Sequence, residues 1–333
     1  MKSTARLRQK RCLGQEWNGD GKLDLVVNDG NNGPNNIFTL LGNGDGTFKT
    51  AIVAGSTTSQ LNYAYLATGD FNEDGKKDLV LGDGEIMLGN GDGTFATSTF
   101  TLPIVNLSNV GGGVPVVGDF NNDGKLDIAM NLPSTSVGQG TEGEVTVFLG
   151  NGNGTFTTGH SYVNIPNSGH MATEDIDGDG NLDLIIGSGD NGVYSTGSNT
   201  NGVFQFLMGR GDGTFAGAPG YQNVAYSGLN PIAQVFAVGD FNGDGNPDIL
   251  TEAMSNNNIQ GMVLLAGDGK GNFTQGPTIK SDYPLALVAA DMNGDKKLDA
   301  VFYAYSTASS SYGISIALGN GDGTFQSVTS TPL

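Results

Sequence analysis

The chain has 333 residues, enough for one large all-β domain or two smaller ones, and its 34 acidic and 15 basic side chains give a net charge of −19. That balance argues against nucleic acid and anionic membrane as partners, because both demand basic surface. Cys12 is the single cysteine, which excludes a disulfide framework and a Cys-rich metal site, and no apolar run is long enough to span a bilayer.

Met1 to Arg11 carries Lys2, Arg6, Arg8, Lys10 and Arg11, like the n-region of a signal peptide, but no h-region follows. Residues 1–15 are therefore expected to be an irregular or truncated N-terminal segment. From residue 16 onward a nonapeptide recurs six times. Its clearest form is Asp119-Phe120-Asn121-Asn122-Asp123-Gly124-Lys125-Leu126-Asp127. Oxygen-bearing side chains stand at positions 1, 3, 5 and 9, and Gly at position 6. Ca²⁺ takes six to eight hard oxygens, alternate residues of a tight loop can point inward together, and Gly supplies the sharp turn. Position 7 would add its backbone carbonyl. An EF-hand needs Glu at position 12, where this chain has Met130, so Asp127 would close the site and a strand would follow.

Taken along the chain, the candidate Ca²⁺ ligands are Glu16, Asn18, Asp20 and Asp24, then Asp70, Asn72, Asp74 and Asp78. The third and fourth sets are Asp119, Asn121, Asp123 and Asp127, and Asp175, Asp177, Asp179 and Asp183. Asp240, Asn242, Asp244 and Asp248 form the fifth, and Asp291, Asn293, Asp295 and Asp299 the sixth. Two copies depart from the pattern. Glu16 brings an extra methylene that needs room. Lys296 puts a charged side chain where the backbone must turn, which makes the sixth site the weakest. The expectation is four to six Ca²⁺ per chain, against the plainer reading of acidic Asp-Gly turns without metal.

A second motif follows each loop, first as Leu41-Gly42-Asn43-Gly44-Asp45-Gly46-Thr47-Phe48. It returns at 88–95, 149–156, 208–215, 266–273 and 318–325. Asn-Gly and Asp-Gly supply the positive φ of tight hairpin turns, so this motif reads as a structural turn. One repeat then resolves into strands at Val114–Val117, Leu126–Asn131 and Glu144–Leu149 and a fourth from Thr155, with the turn at Asn151–Gly154. No segment holds a helical period. Four short antiparallel strands per repeat are a propeller blade. The predicted fold is an all-β single β-propeller of four-stranded blades, with repeats near 16–60, 61–108, 109–164, 165–225, 226–280 and 281–333. The alternative has seven blades, because Met1–Gly14 shows no first strand for blade 1.

The pairing of these two motifs resembles the FG-GAP/VCBS repeat family, related to the integrin α-subunit propeller, over nearly the whole of residues 16–333. The resemblance implies a propeller with Ca²⁺ between the first and second strands of a blade. It also implies an extracellular or cell-surface protein that adheres or binds ligands.

In an antiparallel meander the constant motifs share one face. The other face carries the variable stretches Asn31–Asn36, Ser134–Gly143, Ser188–Gly202, Met254–Gln260 and Tyr305–Gly313. Tyr194, Asn199, Asn256, Asn257, Asn258, Tyr305 and Tyr312 are the candidates there for a glycan or protein ligand. No HExxH and no GxSxG occurs, and His160 and His170 are the only histidines, so no catalytic residue is assigned. Arg210-Gly211-Asp212 spells an adhesive tripeptide but occupies the second-motif turn. The sequence reads as a Ca²⁺-stabilised binding or adhesion module with no membrane insertion. The alternatives are a carbohydrate-active enzyme such as a polysaccharide lyase, or its accessory domain, or a structural repeat of a larger surface protein.

Overall fold

The computed structural model describes residues 12–28, 36–45, 47–57, 65–96, 100–104, 113–132, 142–166, 170–188, 203–216, 230–255, 258–281, 283–306 and 311–332. Among them there is no helix, and the strands form six separate antiparallel meanders. This is the all-β architecture of a β-propeller in six blades.

The first blade is β1 (Cys12–Gln15), β2 (Asp24–Asn28), β3 (Asn36–Leu40) and β4 (Ile52–Ser56). The second is β5 (Leu66–Gly69), β6 (Asp78–Leu81), β7 (Glu85–Met87) and β8 (Phe100–Thr101). The third is β9 (Val114–Gly118), β10 (Asp127–Leu132), β11 (Glu142–Gly150) and β12 (Phe156–Pro166). The fourth has three described strands, β13 (His170–Glu174), β14 (Asp183–Ser188) and β15 (Val203–Leu207), and a bridge between Gly209 and Phe215 opens its outer edge. The fifth is β16 (Asn230–Gly239), β17 (Asp248–Ser255), β18 (Asn258–Gly267) and β19 (Phe273–Ile279). The sixth is β20 (Tyr283–Ala290), β21 (Asp299–Ser306), β22 (Ser311–Ala317) and β23 (Thr329–Pro332).

The expectation that blade 1 lacks a first strand is corrected. Cys12–Gln15 pairs with Asp24–Val27 in the register of the other blades. Its sequence carries little apolar signal, and the ladder of β2 supplies the strand instead.

The chain divides into two compact units, Met1–Gln139 with Gly143–Val163, and Gly140–Glu142 with Asn164–Leu333. Each carries three blades, and each builds its core between neighbouring blades. In the first unit one cluster joins Trp17, Val26 and Ile37 to Leu79 and Phe95, and another joins Phe71, Val80 and Ile86 to Ile128, Phe148 and Phe156. In the second, Ile185, Phe204 and Phe206 pack on Phe236, Ile249 and Val263, while Leu250, Met262 and Leu264 pack on Leu287, Phe302 and Ala317. Successive residues of a strand point to opposite faces. Ile249 therefore belongs to one cluster and Leu250 to the next. A middle strand buried on both faces reads as a continuous apolar run, as in Leu79-Val80-Leu81 and Leu184-Ile185-Ile186.

Within each unit, position 2 of the nonapeptide ties one blade to the next. Trp17, Phe71, Phe120, Ile176 and Phe241 are 5%, 2%, 2%, 2% and 2% exposed. Phe71 meets Phe156 of the following blade edge-to-face at 5.5 Å, and its carbonyl accepts the Gly154 N–H at 2.8 Å. Trp17 does the same with Phe95 and Gly93, and Phe241 meets Phe325 at 5.8 Å with the rings tilted by 53° while its carbonyl accepts the Gly323 N–H at 3.0 Å. The Phe and the last Gly of the second motif are thus a socket for the preceding blade. Burying such a ring contributes about 1.5–3 kcal/mol per junction. In the sixth copy the position is Met292, which is 52% exposed.

Candidate metal centre

Each nonapeptide spans from the end of a blade's first strand to the start of its second. Within it the side-chain oxygens organise the backbone. In the second copy Asp70 accepts the Asp74 and Gly75 N–H groups at 3.1 and 2.8 Å, one on each oxygen. Asn72 accepts the Asp74 N–H at 3.2 Å, and Asp74 accepts that of Lys76 at 2.9 Å. The third copy repeats this through Asp119, Asn121 and Asp123 and the fourth through Asp175, Asp177 and Asp179, while in the fifth Asp240 accepts the Gly243 N–H in place of that of Asp244, and Asn242 and Asp244 accept as before.

The two departing copies keep the arrangement with changes. Glu16 uses a single oxygen, Oε1, for the N–H groups of Asn18, Gly19 and Asp20, while Asn18 and Asp20 accept as in the other loops. The extra methylene is taken up in this way. In the sixth copy Lys296 does adopt the left-handed turn, at φ 68°, and donates its N–H to Asp291 at 2.8 Å. Asn293 and Asp295 accept as in the other loops. The Gly at that position elsewhere has φ between 75° and 87°.

The turn also has a second left-handed residue that sequence reasoning missed. Position 4 is Gly19, Glu73, Asn122, Gly178, Gly243 and Gly294, all at positive φ. Glu73 at 57° and Asn122 at 56° carry a side chain there, where Gly is the usual occupant. The Gly at four of six copies was the available signal.

Position 9 stands apart. Asp24, Asp78, Asp127, Asp183, Asp248 and Asp299 are all 0% exposed. One oxygen of each accepts the N–H of position 2, as from Phe120 to Asp127 at 2.9 Å, and the other accepts the N–H of the first Gly of the second motif, as from Gly150 at 2.8 Å. The same pair of bonds recurs in the other five blades. Residues 11 to 26 positions apart are thereby joined, and the two motifs form one structural unit at one end of the blade. The partner must be Gly. A Cβ on Gly150 would lie 2.1 Å from the Leu126 carbonyl oxygen, and the five equivalent glycines meet the same carbonyl at 2.1–2.2 Å.

The electrostatics follow from this crowding. Burial pushes Asp127 and Asp183 up to about 6 against the two N–H donors, and the loop's other carboxylates push the same way. Asp78 and Asp248 are raised for the same reasons. In the fourth blade, where position 3 is itself an acid, carboxylate oxygens of Asp175, Asp177 and Asp183 all lie within 4.8 Å of one another. Carboxylate and amide oxygens are the donors for Ca²⁺ or Mg²⁺, not for soft metals. The residues present fit a hard cation.

The second motif is a turn closed by its own side chains. Asp92 accepts the Thr94 N–H at 2.9 Å and its hydroxyl at 2.6 Å, and Asn90 donates its amide to Thr94 at 2.8 Å. Arg210-Gly211-Asp212 has this geometry too: Asp212 is engaged by Thr214, and the Arg210 N–H donates to the Thr214 carbonyl at 3.0 Å. His160 is exposed on β12, and His170 packs edge-on to Phe236 at 5.2 Å. Of the variable-stretch candidates, Tyr194, Asn199, Asn256 and Asn257 lie outside the described residues. Asn258 opens β18, and Tyr305 and Tyr312 lie opposite each other in β21 and β22, so these three belong to strands, not loops.

A model of the FG-GAP-like repeat matches residues 17–81, 136–186 and 175–251. No curated protein matches the chain. Among solved structures, the lectin of Aleuria aurantia, described as a six-bladed β-propeller, is 12% identical with a TM-score of 0.49 over 97% of this chain and 96% of that one. A variant of that lectin with Fucα1-6GlcNAc is 13% identical, and a variant with α-methyl-L-fucoside 14%. Both have a TM-score of 0.50 and cover 97% of this chain and 96% of that chain. At such identities the likeness is one of fold.

Proposed function

The chain belongs to the FG-GAP-like repeat family, and from that premise we propose that it is an extracellular, Ca²⁺-stabilised β-propeller that binds carbohydrate without turning it over. The observation that carries the reading is the sixfold loop of side-chain oxygens at one end of every blade. Residues at positions 1, 3, 5 and 9 would hold the cation, from Glu16, Asn18, Asp20 and Asp24 to Asp291, Asn293, Asp295 and Asp299. Bound Ca²⁺ supplies positive charge among carboxylates that otherwise repel. The chain's own residues do the rest. Position 9 fastens the loop to the second-motif turn, and Trp17, Phe71, Ile176 and Phe241 at position 2 fasten it to the next blade of the same unit. With that end of each blade given over to structure, the opposite strand ends are free to vary and to recognise a ligand.

The solved lectin structures of the same fold carry a fucoside or a fucosylated GlcNAc. Brought to this chain, that supports a neutral sugar, in keeping with a net charge of −19 that repels anionic polymers. Sites with Kd near 10⁻⁴–10⁻³ M, about the range of extracellular Ca²⁺ modules, fill outside the cell and not in cytosol. A glycan array probed in Ca²⁺ and in EDTA tests the function. Selective binding without release of cleaved product supports it. Cleavage of a bound polymer would replace it with a carbohydrate-active enzyme.

A further inference from the structure

The six loops share their oxygens but not their charge. Counted over the nine residues, the 175–183 loop has four acids and no base, and the 240–248 loop three acids and no base. The loops at 16–24, 70–78 and 119–127 each come to a net −2, because Lys22, Lys76 and Lys125 stand at position 7 and Lys77 offsets Glu73. The 291–299 loop, with Lys296 and Lys297, comes to −1. The affinity of an oxygen site for Ca²⁺ is tuned by the charge of its ligand set and by its rigidity.

The position-7 lysines are not loose surface charges. Lys22 Nζ lies 3.8 Å from Asp20 Oδ2, Lys76 Nζ 3.4 Å from Asp74 Oδ2 and Lys125 Nζ 3.7 Å from Asp123 Oδ2. The backbone N–H of the same lysine donates to the other oxygen of each carboxylate. One residue thus engages both oxygens of position 5. The lysine stems run over Gly44, Gly91 and Gly152 of the second-motif turns, where a Cβ would meet them at 3.0–3.3 Å, and this keeps the ammonium beside the loop. Such exposed pairs add little to stability. Their weight lies in what they do to a cation: each ammonium already neutralises a carboxylate the ion would use, and repels a divalent charge brought to the same oxygens.

In the 175–183 and 240–248 loops position 7 is Asn181 and Asn246, which donate the same backbone bond at 2.8 Å without a charge. Position 3 of the fourth loop is Asp177, whose carboxylate converges with those of Asp175 and Asp183, where the other five loops offer a neutral Asn. That loop joins the densest negative charge to the absence of any lysine of its own.

We propose that the charges at positions 3 and 7 set the order in which the loops take up Ca²⁺. The 175–183 loop fills first and the 240–248 loop second, while Lys22, Lys76 and Lys125 act as built-in counter-ions that hold three loops back. This rests on the Ca²⁺ reading and adds an order of filling to it.

The test is calorimetric titration of the EDTA-stripped full chain with CaCl₂, in the parent and in a variant carrying Lys22→Met, Lys76→Met and Lys125→Met. Methionine keeps the apolar stem and removes the charge. One ammonium beside a divalent ion at the surface, screened at about 0.15 M salt, weakens binding about three- to tenfold. The parent should therefore show two tight equivalents, then three weaker by that factor. In the Met variant those three should join the tight class. Lys22→Arg, Lys76→Arg and Lys125→Arg together, which keep the charge, should leave the parent isotherm in place. Asp177→Asn should weaken the first equivalent about tenfold and leave the others. In about 0.5 M KCl the gap between the classes should narrow. Thermal unfolding in Ca²⁺ checks that each variant folds. Identical isotherms for the parent and the Met variant would overturn the proposal, as would equal shifts in the Met and Arg variants. If four to six Ca²⁺ bind with a single affinity, the order falls and the Ca²⁺ reading stands. If none binds, both fall.

Discussion

Asp127→Asn separates the two roles assigned to position 9. The carboxylate is 0% exposed, and each oxygen accepts one backbone N–H, from Phe120 at 2.9 Å and Gly150 at 2.8 Å. Asparagine keeps one acceptor and turns an N–H₂ group against the other donor. Hydrogen bonds to a charged group contribute about 1.5–3 kcal/mol, and an unsatisfied buried donor costs about 1–3 kcal/mol. Removal of one bond and creation of a donor–donor contact should therefore cost about 2–4 kcal/mol. For a cooperative unit of three blades, that lowers Tm by about 5–15 °C. Asp123→Asn in the same loop is the control. Asp123 is exposed and accepts one N–H, from Lys125 at 2.9 Å, which an amide oxygen can also accept. In EDTA the Asp123 variant should melt with the parent while the Asp127 variant melts well below it. With Ca²⁺ present both should fall below the parent. Differential scanning calorimetry at fixed ionic strength reads all four cases. Equal midpoints for the parent and the Asp127 variant in EDTA would refute the bracing role.

Gly150→Ala should cost about 3 kcal/mol or more, because its Cβ would sit 2.1 Å from the Leu126 carbonyl oxygen and the Asp127 bond would break; denaturant unfolding measures it. Lys296→Gly should stabilise the sixth loop by about 1 kcal/mol through relief of its left-handed φ of 68°, and should tighten Ca²⁺ there. Glu252, 2% exposed on β17, gives a pH signature: burial pushes it up to about 8, and β16, β18 and β20 carry no cation to offset it. Its folded pKa lies above the unfolded value, so the stability it permits is whole below about 4 and is lost as pH rises to about 8. Glu252→Gln should flatten that loss, and parallel melting curves for both proteins from pH 5 to 9 would contradict it.

The repeats were legible because both motifs are local, and position-by-position spacing placed Asp119, Asn121 and Asp123 in one loop with Asp127 opening the strand after it. Strands of blade 3 fell within a few residues of their places for the same reason. What the sequence hid were relations across the sheet. That Asp183 would brace Gly209, 26 residues on, depends on how three strands are paired. That Phe71 would be buried by Phe156 of the following blade depends on packing between blades. Linear spacing reads Tyr305 and Tyr312 as loop residues, but the tight pairing of β21 with β22 makes them strand neighbours. Cys12–Gln15 became a strand through its neighbour's ladder and not through its own composition.

The central claim is that the six acidic loops are Ca²⁺ sites that hold the blades together. Calorimetric titration of the EDTA-stripped chain with CaCl₂ counts them directly. The account predicts four to six Ca²⁺ per chain, the 291–299 loop weakest, and little heat with MgCl₂, which demands a smaller octahedral site and holds its water. At 2 mM Ca²⁺ and a Kd of about 10⁻⁴ M, each site would add roughly 1.8 kcal/mol of stability. A stoichiometry of one Ca²⁺ or none would contradict the claim and leave the loops as acidic turns.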